Sequence, residues 1–448
     1  MIFRRYGRFT GGIALPDEKR ATLDLPIRPC PPMERLAIPL APCGGKPARL
    51  LVQPPAAVEA GQKIAAPDDE DGAPVFAPLS GRITGLTTVR VAGEAGFAPS
   101  PAAELTALGK PGTIRPMTPV FPWREADPEA LIRRIAEGGL TTHRARPVPL
   151  VRWVRAARQK RARTLIANGM EQQPYVTADH RLLTEHGTGI IRGLAILGRA
   201  TGIDDMVLAV DHRRTDDYRK LVETAGSYGV TRIALSSKYP TGNDTMLVKV
   251  LCRREVPPGG GPIDVGAAVI DVATCFAVYR WVACGAPPTA RVVTVSGERT
   301  ASPGNLWAPF GARCRELTGP ADPPIIHGGP MSGLRCPPDA VVTPATDAVL
   351  AIDTPPFAAA TPCIRCGWCT DHCPARLNVA ALNDAFELGE LDRSERLGAP
   401  ACVACGVCTY VCPARLPLSQ RVKRMKRLIS ASRSGPGRPA GRPEPAET

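Results

Sequence analysis

Short apolar runs broken by Gly and Pro fill the first part of the chain, and longer stretches with a helical period follow them. Between residues 26 and 115 the runs are Leu36-Ala-Ile-Pro-Leu40, Arg49-Leu-Leu-Val52, Val58-Glu-Ala-Gly61-Gln-Lys-Ile64 and Val75-Phe-Ala-Pro78-Leu-Ser80-Gly81-Arg-Ile83. Runs of this length between turn residues predict short strands in a small barrel or sandwich. Pro128 to Glu137, His180 to Arg199 and Thr215 to Tyr228 instead carry helical patterns. Thr164 to Ala167 reads as a buried strand, and Met206 to Val210, Thr231 to Leu235 and Met246 to Val250 also read as strands.

This alternation predicts an α/β domain with a largely parallel sheet. The Asn168-Gly169 turn after its first strand lies at the carboxyl edge, where such sheets bind ligands. Gly259-Gly-Gly261, a helix at about Thr274 to Gly285 and a strand from Ala290 to Ser296 then suggest a β-grasp-like module, followed by the tight loop Gly328-Gly-Pro-Met331-Ser-Gly333. The fold class is α/β plus β. The expected division is a β-rich barrel-sandwich-like domain over 1–120, an α/β domain over 121–255, the β-grasp-like module over 256–320, a helical two-cluster ferredoxin-like domain over 321–430 and a disordered tail over 431–448. The tail's Ser, Arg, Gly and Pro cannot build a core.

Composition adds three constraints. The 49 prolines and 43 glycines favour a loop-rich chain. No apolar leader follows Met1-Ile-Phe-Arg-Arg, and the weakly polar stretch from Val265 to Cys284 is interrupted by Asp271, Tyr279 and Arg280, so a soluble protein without a membrane span is expected. The net charge of +14 sits partly on Arg421, Lys423, Arg424, Lys426 and Arg427, which surround Val422, Met425, Leu428 and Ile429 at helical intervals. Such a helix can lie on anionic lipid or dock on an acidic partner, or be a solvated basic end. Basic and aromatic residues are not interleaved as in nucleic-acid binders, and no nucleic-acid partner is expected.

The strongest chemical signal is written twice. Cys363-Ile-Arg-Cys366-Gly-Trp-Cys369-Thr-Asp-His-Cys373-Pro374 is followed by Cys402-Val-Ala-Cys405-Gly-Val-Cys408-Thr-Tyr-Val-Cys412-Pro413. This is the spacing of bacterial ferredoxins, in which three thiolates of one run and the last of the other hold each 4Fe-4S cubane. Cluster one is therefore expected on Cys363, Cys366, Cys369 and Cys412, and cluster two on Cys402, Cys405, Cys408 and Cys373. Residues 377 to 398, with Ala380, Leu382, Ala385, Phe386 and Leu388 in phase, read as one helix between the halves. The other seven cysteines have no ligand spacing and are expected to be buried free thiols. Electron transfer needs no general acid or base, so no catalytic side chain is assigned.

The chain from about Phe9 to Arg427 resembles the RnfC family, a component of the Rnf electron-transport complex. The resemblance rests on Gly11-Gly-Ile-Ala-Leu-Pro-Asp-Glu-Lys19, Ile38-Pro-Leu40, Ala77-Pro-Leu-Ser-Gly81, Asn168-Gly-Met-Glu171-Gln-Gln-Pro174-Tyr-Val-Thr-Ala-Asp179, Asp264-Val-Gly266, Gly328-Gly-Pro-Met331 and the two cysteine runs. It implies an α/β domain like the flavin-binding subunit of complex I, with FMN and NADH as further cofactors. Gly138, Gly139, Asn168, Glu171 and Asp179 would then be the cofactor-binding residues. It also implies Rnf-type membrane subunits, ferredoxin or NADH as partners, and a peripheral position on the cytoplasmic side of the bacterial inner membrane.

Two departures bear on the flavin. The family's Gly-Gly-Ala-Gly-Phe-Pro-Thr phosphate loop is shortened to Gly138-Gly-Leu-Thr-Thr-His143-Arg144, and its second acidic residue after Asn168 is Gln173. Both predict weak or absent FMN binding, because a phosphate cradle depends on its donors; His143 and Arg144 either supply positive charge to a phosphate instead or are ordinary surface residues. The alternatives are an electron-wire adaptor without flavin and a cobalamin-reductase-like flavoprotein of bacterial microcompartments.

Overall fold

The computed structural model describes residues 6–69, 72–93, 96–108, 117–143, 147–219, 221–319, 324–353 and 360–434. Its N-terminal part is built from β1 (Ile27–Pro29), β2 (Arg35–Pro39), β3 (Arg49–Leu50), β4 (Ala56–Val58), β5 (Lys63–Ala66), β6 (Val75–Phe76), β7 (Gly81–Gly93) and β8 (Gly96–Ala107). β2-β8-β7-β4 form one sheet and β3-β5-β6 another. The long β7–β8 pair extends well past the apolar run ending at Ile83 that marked this region in the sequence, because beyond it outward residues such as Thr88 and Arg90 face solvent. The apolar faces share one core: Ile38, Ile64, Ile83 and Leu105 lie with Val293, Leu306 and Val349 from later strands.

The α/β part follows as α1 (Pro128–Glu137), α2 (Leu150–Gln159), β9 (Thr164–Gly169), α3 (Ala178–Thr201), β10 (Asp205–Asp211), α4 (Leu221–Ser227), β11 (Val230–Leu235), α5 (Asp244–Cys252), β12 (Ala267–Asp271) and α6 (Val272–Val278). Its strands are all parallel, in the order β11-β10-β9-β12. α1 begins where Asp127 accepts from the amide of Ala130 and Pro128 presets the first turn.

Two expectations are corrected here. Met246 to Val250, read as a strand, lies in α5: the Asn243 side chain caps the helix by accepting from the Thr245 amide, and Met246, Leu247 and Val250 are buried. A run of five residues carries no period of its own, so the cap decides. Within Thr215 to Tyr228, only Leu221–Ser227 forms an α-helix.

The module expected over 256–320 is divided between two sheets. β12 and α6 complete the α/β part, whereas β13 (Ala290–Ser296) and β14 (Gly304–Pro309) enter a six-stranded sheet. After α7 (Cys314–Leu317) that sheet gains β15 (Ile325–His327), β16 (Leu334–Arg335) and β17 (Ala348–Ala351), in the order β1-β14-β13-β17-β15-β16. The boundaries at 255 and 320 therefore fail, because pairing partners lie far apart in sequence.

The remaining part comprises α8 (Trp368–Asp371), α9 (Val379–Glu387), α10 (Leu391–Arg396), α11 (Val407–Tyr410) and α12 (Leu418–Ser434). The single helix expected between the cysteine runs is two, broken at Gly389, whose φ of 70° is left-handed. The basic helix is also corrected: Val422, Met425 and Ile429 are at most 3% exposed and pack with Leu377, Val379 and Leu382. Its apolar face, apart from the half-exposed Leu428, builds the core of this part. Residues 431–434 continue α12, and the rest of the expected tail lies outside the described residues. No helix among the described residues is long and apolar enough to cross a membrane.

Candidate iron–sulfur and cofactor sites

The two cysteine runs adopt the same backbone. Arg365 and Ala404, in the first gap of each run, have φ of 55° and 58°; Gly367 and Gly406, after the second cysteine, have 82° and 84°. Arg376 and Arg415, just past each Cys-Pro, repeat at 58° and 54°. Left-handed backbone is costly for residues with a Cβ, and successive right- and left-handed residues turn amides into an anion-binding concavity. Finding it twice in register fits a cubane with four thiolates.

Cys363, Cys366, Cys369 and Cys412 line one open hollow of about 380 Å³, with Asn383, Leu416 and Leu418. The second set also gathers: burial, then the nearness of Cys402, Cys405 and Cys373, pushes the Cys408 thiol above its ordinary range. The fourth cysteine of each run thus sits with the first three of the other. Among the described residues no three His, Cys, Asp or Glu side chains converge on a single ion. The first four thiols line a space of the kind a cubane occupies.

The runs differ in their surroundings. Cys363 and Cys366 are exposed, and beside them Ile364 and Trp368 are 67% and 54% exposed. The second run is covered by the α/β part. Tyr239 donates from its hydroxyl to the Cys405 carbonyl at 2.6 Å, and the Asn243 amide donates to the Val403 carbonyl at 3.2 Å. A Cβ on Gly406 would fall 2.1 Å from the Met331 carbonyl oxygen, so only glycine allows this approach. The amide of Gly12 donates to the His372 carbonyl at 2.8 Å, beside Cys373.

The other candidate residues meet at the topological switch of the parallel sheet, where β9 lies between β10 and β12. Asn168, near the end of β9, lies directly opposite Asp271 at the end of β12. Sequence reading missed Asp271 as a site residue; its position before a helix with Thr three residues on was the available signal. It caps α6 by accepting from the Thr274 amide and hydroxyl, and it accepts the His143 amide at 3.2 Å. Asn168 donates to the Gly242 carbonyl and to Asp244.

Glu171 accepts the amides of Asp179 and His180 at 2.7 and 3.2 Å and so holds the start of α3. Lys19 donates to the Glu171 backbone carbonyl at 2.6 Å and lies 3.9 Å from its carboxylate. Burial pushes Lys19 down and Glu171 up, each opposed by the charge of the other. Burial, then Glu171 and Asp271, holds Asp179 well above the usual carboxylate range. Glu171 and Asp179 are thus brought together, with Asn168 and Asp271 beside them.

Gly138 and Gly139 are placed elsewhere. They follow the carboxyl end of α1, where the helix dipole is unfavourable to an anion. A Cβ would meet the Trp281 ring at 2.2 Å from Gly138 and the Pro74 carbonyl oxygen at 2.1 Å from Gly139. Close packing therefore accounts for both glycines, and they do not fit the phosphate cradle expected of them. His143 is buried and held down at about 3 by burial, then by Arg291, against the opposing charge of Asp271. It is a neutral imidazole and cannot replace a phosphate-binding cation; Arg144 lies outside the described residues.

Gln173 has a structural task. Its amide oxygen accepts from Met331 at 3.1 Å and its nitrogen donates to Ser332 at 2.8 Å, which fastens the loop covering the second cysteine run. A hollow of about 340 Å³ between α6 and β13 lies apart from the cysteines, and its Arg280 is stacked over Phe276 and Trp307.

Comparison with known proteins agrees with this layout. Residues 7–100 match the RnfC barrel sandwich hybrid domain, 147–280 the Nuo51 FMN-binding domain and 356–413 the 4Fe-4S dicluster domain. The chain is 32% identical over 395 residues to the C component of the ion-translocating oxidoreductase complex of Pseudomonas aeruginosa, covering 85% of this chain and 50% of that protein. It is 28% identical over 384 residues to the C component of the proton-translocating ferredoxin:NAD(+) oxidoreductase complex of Clostridium ljungdahlii, covering 84% of this chain and 83% of that one. The chain spans about half the length of the first of these relatives. An NAD+-reducing [NiFe]-hydrogenase structure aligns with a TM-score of 0.48 at 17% identity, covering 74% of this chain and 72% of that one.

Proposed function

Because this chain belongs to the RnfC family, we propose that it is the iron–sulfur electron-transfer subunit of an Rnf-type ion-translocating oxidoreductase. The single observation behind this reading is the pair of cysteine runs with one backbone and unequal cover. The 4Fe-4S clusters supply one-electron transfer when bound, and the protein sets their potential and spacing. Cys402, Cys405, Cys408 and Cys373 would hold the inner cluster against the α/β part; Cys363, Cys366, Cys369 and Cys412 would hold the outer one.

Tyr239, Asn243 and the Met331 loop keep the inner run seated on the α/β part, so that side faces an electron donor or acceptor bound at the switch point. Ile364 and Trp368 surround the outer run and would meet the next redox subunit of the complex. The strand order β14-β13-β17-β15-β16, with its first and last long strands parallel and central, supports the β-grasp-like reading for this later stretch. The chain would sit peripherally on the cytoplasmic face of the bacterial inner membrane, held by other subunits of the complex.

Two specific features favour a flavin-free wire as the second reading: the packing of Gly138 and Gly139 and the neutral, buried His143. Anaerobic purification tests the main proposal. About eight irons per chain are expected, on the stoichiometry of two cubanes, with signals of reduced 4Fe-4S clusters by electron paramagnetic resonance. Tightly bound zinc in place of iron would refute it.

A further inference from the structure

The duplicated backbone makes corresponding positions in the two halves comparable. Each run is followed by a helix at the same interval, α9 after the first and α12 after the second. Asn383 in α9 follows Cys363 by the interval at which Val422 in α12 follows Cys402. Both are buried, at 1% and 2% exposure. One half carries an amide where the other carries a hydrocarbon.

Asn383 lines the hollow shared by Cys363, Cys366, Cys369 and Cys412. Its oxygen accepts from the Arg421 guanidinium, which also reaches Glu387. A guanidinium only donates, so the atom it touches must be the amide oxygen, and the NH2 group is turned the other way. That nitrogen is buried and has no hydrogen-bond partner among the described residues. A buried donor without an acceptor is unfavourable unless something supplies one.

We propose that the Asn383 side-chain amide donates a hydrogen bond to a sulfur of the cluster held by Cys363, Cys366, Cys369 and Cys412 and thereby raises its reduction potential. An N–H dipole aimed at a sulfur stabilises the added electron, and hydrogen bonds to the sulfurs are among the determinants of cluster potential. Arg421 is the positioning residue, fixing which end of the amide faces inward. The second cluster has Val422 at the equivalent place and lacks this donor, so the hydrogen bond acts on the outer cluster alone. The inference rests on the iron–sulfur reading above.

The test is a redox titration of the anaerobically purified holoprotein, followed by electron paramagnetic resonance, for wild type and Asn383→Val. The variant installs the residue that the other half already uses. One midpoint potential is expected to shift down while the other stays in place. Unchanged potentials in a variant that retains its iron, or an equal shift in both, would overturn the proposal. If the variant fails to assemble, pulsed resonance of wild type labelled with 15N at asparagine side-chain amides decides. A coupling to a reduced cluster supports the hydrogen bond, and its absence overturns it. A wild-type protein that lacks the two clusters would instead fail the functional reading, and its iron content identifies that outcome separately.

Discussion

The hydroxyl of Tyr239 donates a 2.6 Å hydrogen bond to the carbonyl oxygen of Cys405, joining the α/β part to the turn that presents the inner thiols. Tyr239 is 5% exposed. Tyr239→Phe would leave that carbonyl without its donor at a cost of about 1–3 kcal/mol. The variant should bind its full iron but unfold at lower temperature and lose part of its iron faster to a chelator. An unchanged unfolding midpoint and chelation rate would mean that this contact holds nothing in place.

Crossed ligation makes a directional prediction for Cys373→Ser. The damage should fall on the cluster held by Cys402, Cys405 and Cys408, and the cluster held by Cys363, Cys366 and Cys369 should persist. Iron should drop towards about four per chain, one cubane's worth. Because Cys363 and Cys366 are exposed, the surviving signal should also be the one more sensitive to added chelator. Survival of the shielded signal instead would show uncrossed ligation.

Three buried histidines tie stability to pH. Burial is the leading cause in each: His143 and His180 are held down at about 3, and His327 at about 4. Their folded values lie below the ordinary unfolded value of about 6.5, so the unfolded chain takes up protons first. Their stabilising effect is complete above pH 6.5 and is lost as pH falls towards 4, at up to about 1.4 kcal/mol per pH unit for each residue. Urea unfolding between pH 7 and 4 should show this slope, and His180→Gln should make it shallower. The raised Asp179 and Glu171 carboxyls oppose this slope in the same window, so the variant decides: a slope unchanged in His180→Gln would contradict the burial of that ring.

Ile429 tests the role of the basic helix. It is 1% exposed in the core around the cysteine runs. Ile429→Ala should cost about 2–5 kcal/mol, as cavity-forming substitutions do, and should reduce bound iron. Neutralising the exposed Arg424 and Arg427 should leave iron content unchanged. The opposite pattern, full iron in Ile429→Ala and loss in the arginine variant, would return the helix to the surface role its charge suggested.

Flavin content is the simplest measurement. Gly138 and Gly139 are occupied by packing against Trp281 and Pro74, so protein leaving purification should carry well below one flavin per chain. One tightly bound FMN per chain, bleached by NADH, would show that phosphate binding here does not need these glycines.

The cysteine runs were legible because their chemistry is local: ligand spacing and the turns that serve it lie within a few residues. β9, β10 and β11 were legible for the same reason, as short, mainly apolar runs. The six-stranded sheet was not, since Ile27 pairs with Asn305 and Thr294 with Ala348 across long intervals. α5 was misread because Met246 to Val250 alone has no period, although Asn243 before it was a usable cap. At the switch point the sequence pointed to Glu171 and Asp179 but not to their relationship, in which one carboxylate holds the backbone of the other. Asn383 had only a faint signal, a polar residue on the helix face shared by Val379 and Phe386.

The contact of Gly12 with His372 has a consequence for biosynthesis. The segment around Gly12, which also pairs through Ile13 with Tyr239, lies between the α/β part and the cysteine-rich part. Translation delivers Gly12 well ahead of His372, so this segment must wait, unseated, while everything between them is made. The residues that cover the inner thiols, Gly12, Tyr239 and Asn243 among them, therefore already exist when those thiols emerge.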